Sequence, residues 1–157
     1  MNSKQSFLWT FLAIYLPNIF WPLIGIYFIT HKNFNIIAWI VLCAGALRLF
    51  CEVIYFFHKK ARPYQLEHVV PAHSAWMFSP YKLRPDSFPS AHAATLFYGS
   101  FYLLFAHFYF LGVAALVMAF LNAWSRVRLL YHYWIDIVGG FILAGFWLIF
   151  MRIIAKI

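Results

Sequence analysis

Long apolar runs constrain this chain more than any other feature of its sequence. Residues 7–29, 36–57 and 135–154 are predominantly apolar, and each run reaches the roughly 20 residues that an α-helix needs to cross a bilayer. Residues 90–126 are apolar as well, too many for one crossing and enough for two short ones. Only 10% of all residues are charged, against about 25% in a soluble domain. The sequence therefore predicts a single all-α membrane domain over residues 1–157, a bundle of about five transmembrane helices.

A few residues interrupt the apolar pattern of these helices. Pro17 and Pro22 are expected to kink the first helix, which is tolerable where neighbouring helices cover the carbonyl groups that the prolines leave free. Arg48 and Glu52 are spaced i,i+4 and are expected to pair inside the second helix, either as a structural ion pair facing the bundle or as support for a polar site. The apolar stretch from 90 to 126 is expected to form a helical hairpin with its tip near residues 106–112.

The polar residues are predicted to gather at one membrane face. Residues 58–89 form the longest polar segment and are too polar to cross a bilayer, so they are expected to be a loop. The second helix ends where this loop begins. The hairpin leaves from the loop and returns at residues 125–136, SRVRLLYHYWID. Polar clusters at both ends of the loop and at the hairpin's return can therefore converge.

The charge balance limits the classes of partner. The net charge is +8, from 12 Lys and Arg against 4 Asp and Glu. The basic residues stand at the ends of apolar segments and form no solvated stripe, which argues against nucleic acid. Anionic lipid headgroups of the bilayer, or a substrate that carries phosphate, fit this distribution better.

The converging clusters hold the groups that phosphate chemistry needs. Ser90 and His92 stand at the start of a predicted helix, where the helix N-terminus attracts anions, and Arg126 offers a guanidinium fork. Two histidines permit one nucleophile or base and one acid near neutral pH. His132 and Asp136 are four residues apart, so on a helix the carboxylate can hold one ring nitrogen and raise the basicity of the other. Each element alone has an ordinary structural reading, but their order and common face favour a site.

These residues carry a resemblance to the type-2 phosphatidic acid phosphatase superfamily, which shares its helical core with vanadium haloperoxidases. That family is marked by the motifs K-x6-R-P, P-S-G-H and S-R-x5-H-x3-D. The sequence matches the second motif as PSAH at residues 89–92, with alanine in place of glycine, and the end of the first as RP at residues 62–63. It matches the third at every fixed position: Ser125, Arg126, His132 and Asp136.

The first motif departs from the family pattern. Tyr55 stands where the family has its lysine. Lys59 lies three residues before Arg62, so on a continuing helix it shares Arg62's face and is expected to supply the missing ammonium group. Lys60 points about 100° away on such a helix and is a weaker candidate. Lys82 and Arg84, just before the second motif, are further alternatives.

The resemblance implies a lipid phosphatase that works without metal or cofactor. In this mechanism His132 attacks phosphorus to form a phosphohistidine while Asp136 orients its imidazole ring. His92 protonates the leaving group and then activates water. Backbone N–H groups near residues 90–92 and five side chains are expected to hold the phosphoryl oxygens: Arg62, Arg126, Ser90, Lys59 and Ser125.

The resemblance also implies a substrate and a location. Similar small bacterial members act on undecaprenyl diphosphate, phosphatidic acid, phosphatidylglycerol phosphate or lipid A, and the run DSFPSAHA ranks undecaprenyl diphosphate first. Bacterial relatives favour the inner membrane with the site facing the periplasm, whereas a naive count of basic residues places the site face in the cytoplasm. Two alternatives stay open: a metalloenzyme with His132, Asp136 and His92 as ligands, and a lipid-phosphate binding or transport protein whose site is disabled at Tyr55.

Overall fold

The computed structural model describes residues 3–66 and 87–155, and these ranges are mostly helical. The elements along the chain are α1 (Ser3–Thr10), a π-helical turn (Phe11–Tyr15), α2 (Leu16–Thr30), α3 (Phe34–Phe57), the short α4 (Pro63–Leu66), α5 (Ala91–Phe105), α6 (Tyr109–Arg128) and α7 (Trp134–Ala155). Most of the predicted polar loop, residues 67–86, lies outside the described ranges.

Four helical stretches within the described ranges are long and apolar enough to cross a membrane. They are Phe7–Thr30, Phe34–Phe57, Tyr109–Arg128 and Trp134–Ala155. Helix α3 shows how these helices face the bilayer. On its outer side Leu42, Leu49 and Phe56 are 68%, 69% and 73% exposed. On its inner side Leu47 and Cys51 are fully buried. The protein is therefore an integral membrane protein, and the predicted all-α membrane bundle is confirmed.

Helix α5 is the short central helix of this bundle. Its 15 residues span about 22 Å at 1.5 Å per residue, less than the roughly 30 Å of a bilayer core. It packs against α3, α6 and α7. At Gly140 of α7 the two backbones approach so closely that a Cβ atom there would lie 2.7 Å from the Ser90 carbonyl oxygen. The hairpin of α5 and α6 is confirmed, with its tip at residues 106–108.

The proline in the first span is accommodated by a contact from α6. In a regular α-helix the N–H of residue 17 would bond the Ala13 carbonyl, but Pro17 has no N–H to donate. Asn122 of α6 donates its side-chain amide to the Ala13 carbonyl at 2.8 Å and to the Leu12 carbonyl at 3.1 Å. The chain forms its π-helical turn over these same residues. The expected cover of the freed carbonyl groups by a neighbouring helix is therefore confirmed at Pro17.

The predicted ion pair of α3 forms, but at the surface of the bundle. Arg48 Nη2 lies 3.3 Å from Glu52 Oε1, and the two side chains are 44% and 36% exposed. We expected a purely structural ion pair to face the interior of the bundle, and this pair does not.

Three helix ends meet at one face of the bundle. Tyr55 in the last turn of α3 reaches the start of α5, where its hydroxyl donates to the Pro89 carbonyl at 2.7 Å. The Ser90 N–H donates to the Asp136 carbonyl of α7 at 2.9 Å. At the other end of the bundle, the hairpin tip packs against α2 through the rings of Phe108 and Phe28. The convergence of the polar clusters on one face agrees with the topology read from the sequence.

Candidate active site

His132 lies in the junction between α6 and α7 and is almost fully buried, 1% exposed. Its Nδ1 atom lies 2.9 Å from the backbone carbonyl oxygen of Ser87. Because a carbonyl oxygen only accepts, Nδ1 carries the proton of the neutral ring and Nε2 carries the lone pair. The buried Nε2 atom has no hydrogen-bond partner among the described residues. The ring is therefore held with its nucleophilic nitrogen uncommitted.

The charge state of His132 follows from its surroundings. Burial lowers the pKa of its imidazole from the usual 6.5 to about 4. The Asp136 carboxylate opposes this shift, and the guanidinium groups of Arg126 and Arg62 add to it. Burial penalises the charged form of any base, and nearby cations do the same. The ring is therefore neutral, and nucleophilic, at neutral pH.

Asp136 lies in the first turn of α7 and is fully buried. The sequence predicts that it holds the His132 ring through i,i+4 spacing on one helix, but α6 ends at Arg128 and α7 begins at Trp134, so His132 is not helical. Asp136 Oδ2 is 3.8 Å from His132 Nδ1, too far for a hydrogen bond. Asp136 therefore acts on the ring through charge and through its other partners, and the direct hydrogen bond is made by Ser87 instead.

The Asp136 carboxylate joins three segments of the chain. Its Oδ1 accepts from Lys60 Nζ at 2.6 Å. Its Oδ2 accepts from the Ser87 hydroxyl and from the backbone N–H of Tyr133 at 2.8 Å. The Tyr133 contact is the side-chain half of a capping box at the start of α7. These bonds fix Ser87, whose carbonyl in turn fixes His132.

Lys60, and not Lys59, lies in the site. The expectation for Lys59 depends on a helix that continues past residue 60, but α3 ends at Phe57. Lys60 then pairs with the 87–90 turn, since its carbonyl accepts from the Ser87 N–H at 3.0 Å. Its ammonium group stands 4.7 Å from the centre of the Tyr133 ring, while Lys59 is exposed. The further candidates Lys82 and Arg84 lie outside the described residues.

Ser90 and His92 stand at the start of α5, as predicted. Ser90 is the N-cap residue, and its buried hydroxyl oxygen accepts from the Ala93 N–H at 3.4 Å. His92, in the first turn, is exposed, and the positive charge of Arg126 lowers the pKa of its imidazole well below the usual 6.5. The backbone N–H groups of Ser90 and Ala91 were expected to be available to phosphate. Both have partners in the protein, the Asp136 carbonyl at 2.9 Å and the Tyr55 hydroxyl at 3.1 Å.

Two arginines supply positive charge to the site. Arg126 is 7% exposed, and its buried Nε atom has no hydrogen-bond partner within the part of the chain that the structure describes. Its guanidinium carbon lies 5.5 Å from the centre of the Tyr131 ring. Arg62 is half-buried at the start of α4. Ser125 was also predicted to hold phosphate. It is buried and donates its hydroxyl to the Asn122 carbonyl of its own helix at 2.6 Å.

No metal-ligand group is found across residues 3–66 and 87–155. Within those ranges, no three His, Cys, Asp or Glu side chains come together in a way that could hold a metal ion. The described side chains therefore offer no ligand set for the metalloenzyme alternative.

The fold and this cluster together define an integral membrane protein in which two histidines and several basic side chains gather at one end of the helical bundle. The model of the PAP2 superfamily matches residues 35–156, most of the chain, and the chain belongs to that superfamily. The resemblance read from the three motifs is thereby confirmed. Membership in this superfamily indicates phosphatase activity on phosphate esters. Comparisons with curated proteins and with solved structures gave no match.

Proposed function

We propose that this protein is a lipid phosphatase that cleaves a phosphate or diphosphate monoester through a phosphohistidine on His132, without metal or cofactor. The observation that carries this proposal is the state of the His132 ring. Its proton is committed to the Ser87 carbonyl at Nδ1, and its buried Nε2 has no partner among the described residues. A neutral imidazole with a free lone pair beside two guanidinium groups suits attack on an anionic phosphorus.

The chemistry divides into two displacements at phosphorus. In the first, His132 Nε2 forms a bond to phosphorus while the bond to the leaving oxygen breaks, and His92 gives its proton to that oxygen. In the second, His92 takes a proton from water, the water oxygen attacks the phosphohistidine, and orthophosphate leaves as His132 is regenerated. Arg126 and Arg62 stabilise the negative charge on the phosphoryl oxygens in both steps.

A lipid substrate follows from the position of the cluster. The site stands at the ends of helices whose outer faces are apolar and exposed, so a phosphate on a membrane-embedded tail can reach it without leaving the bilayer. Undecaprenyl diphosphate ranks first because of the run DSFPSAHA, followed by phosphatidic acid, phosphatidylglycerol phosphate and lipid A. We place the protein in a bacterial inner membrane with the site facing the periplasm.

Phosphate release from purified lipid phosphates tests the proposal. The wild-type protein in detergent should release orthophosphate from at least one of these four lipids, equally well with and without EDTA. The His132→Ala variant should release none above background. His31→Ala, at the exposed end of α2, serves as the matched histidine control and should retain full activity. Lipid binding without phosphate release would refute the proposal in favour of the binding-protein alternative.

A further inference from the structure

Tyr55 makes two hydrogen bonds to the turn that precedes His92. Its hydroxyl donates to the Pro89 carbonyl at 2.7 Å and accepts from the Ala91 N–H at 3.1 Å. The side chain is only 8% exposed, and the residues one and two turns before it on the same face of α3, Cys51 and Leu47, are fully buried. The ring is therefore held in the core of the bundle with its hydroxyl at the start of α5.

The two bonds use both capacities of the hydroxyl group. A phenol donates one hydrogen bond and accepts others, whereas a lysine ammonium group only donates. Lysine at position 55 could bond the Pro89 carbonyl but would leave the Ala91 N–H without its partner. It would also carry a charge into a buried apolar position. The surroundings of position 55 thus fit tyrosine and do not fit the lysine of the family motif.

We propose that Tyr55 is a positioning residue that fixes the 89–91 turn and thereby the placement of His92. The proposal rests on the proposed function, in which His92 protonates the leaving oxygen. Tyr55 contacts the residue that immediately precedes His92, so loss of the hydroxyl loosens the segment from which the His92 side chain projects. Tyrosine at position 55 then supports a functional site, and its presence in place of lysine does not indicate a disabled one.

Two substitutions at position 55 distinguish a positioning role for Tyr55 from a site that the tyrosine disables. Tyr55→Phe keeps the ring and removes both bonds, and kcat for phosphatidic acid in detergent micelles should fall about 10-fold or more, with KM within about 3-fold of the wild-type value. Tyr55→Lys restores the family residue and should be less active than Tyr55→Phe. If position 55 were a lesion, Tyr55→Lys would instead exceed the wild type. Tyr15→Phe, at a half-exposed tyrosine on the first span, is the matched control and should be unchanged.

The dependence of the activity loss on the leaving group distinguishes a positioning role for Tyr55 from a purely structural one. An alkyl phosphate such as phosphatidic acid needs a proton from His92 as its bond breaks, whereas the good leaving group of p-nitrophenyl phosphate needs little help. The deficit of Tyr55→Phe should therefore be large for the lipid and small for the aryl ester. Equal deficits for both esters, or wild-type kinetics of Tyr55→Phe, would overturn the inference. Absence of phosphate release by the wild type from every lipid tested would instead overturn the proposed function.

Discussion

The Nδ1 atom of His132 lies 2.9 Å from the backbone carbonyl oxygen of Ser87, whereas the Asp136 carboxylate is 3.8 Å from the same atom. The proton of the ring is thus held by a backbone group that no side-chain substitution removes. Asp136 contributes by anchoring Ser87 and Lys60. Two residues that are distant in sequence therefore divide the work: the Ser87 carbonyl holds the ring proton, and the Asp136 carboxylate holds Ser87 and Lys60 in place.

This division predicts a partial effect for Asp136→Asn. Where a carboxylate alone fixes the ring tautomer, its conversion to an amide costs about 10⁴-fold in kcat. Here the Ser87 carbonyl keeps the tautomer, so we expect a loss of about 10- to 100-fold from the loosened Ser87 and Lys60 contacts. The measurement is phosphate release in steady state, beside His132→Ala. A loss as complete as that of His132→Ala would show that Asp136 holds the ring directly.

The two adjacent lysines give a second prediction with a built-in control. Lys60→Gln removes the cation bonded to the buried Asp136 carboxylate at 2.6 Å, which leaves that carboxylate without its charged partner. We expect activity to fall by about 10-fold or more and the unfolding temperature in detergent to drop. Lys59→Gln alters an exposed side chain and should stay within about 2-fold of the wild type. A larger loss of activity for Lys59→Gln than for Lys60→Gln would instead indicate that Lys59 contributes to the site.

Part of this site could be read from the sequence. The third motif marks His132 and Asp136, and the topology brings them to the face where Ser90 and His92 begin α5. Ser87 was missed because its backbone carbonyl holds the ring, and any residue type carries that group. Lys60 was ranked below Lys59 because the comparison of their faces assumed a helix that continues past Phe57 to Arg62. One signal argued against that continuation, since a residue that precedes proline, as Arg62 does, is disfavoured in a helix.

The lowered pKa of His132 predicts how stability changes with pH. The ring titrates near 6.5 when unfolded and at about 4 in the folded protein. Between these values the unfolded chain binds more protons, so acidification from pH 6.5 to 4 costs stability that is fully present above pH 6.5. Thermal unfolding in detergent at pH 7.5 and pH 5 should show a smaller loss on acidification for His132→Gln than for the wild type. Equal losses would contradict the buried, neutral ring.

Asn122 gives a prediction about the fold alone. Its side-chain amide bonds the two carbonyl groups at the π-helical turn, Leu12 and Ala13. Asn122→Ala should therefore lower the free energy of unfolding by about 1–3 kcal/mol. In a Pro17→Ala background the restored N–H can bond the Ala13 carbonyl, so the same substitution should cost less. Asn35→Ala, at an exposed position near the start of α3, should have little effect. Strict additivity of the Asn122 and Pro17 substitutions would argue against this pairing.

The fold was more predictable from the sequence than the details of its helices. Apolar length fixes the spans, and the hairpin is required because residues 90–126 are too long for one crossing. The π-helical turn and its contacts with Asn122 were not predicted, because Asn122 is distant in sequence from Pro17. The exposure of the Arg48–Glu52 pair was not predicted either, since i,i+4 spacing sets the pairing of two side chains but not the face of the bundle on which they lie.

We propose that His132 carries the phosphoryl group, and the decisive measurement is the trapping of this intermediate. The wild-type protein, mixed with radiolabelled lipid phosphate and denatured within seconds in alkaline detergent, should retain label that acid releases, and mass spectrometry should place it on His132. His132→Ala should take up no label and release no phosphate. Label on another residue, or wild-type phosphate release by His132→Ala, would show that His132 is not the nucleophile.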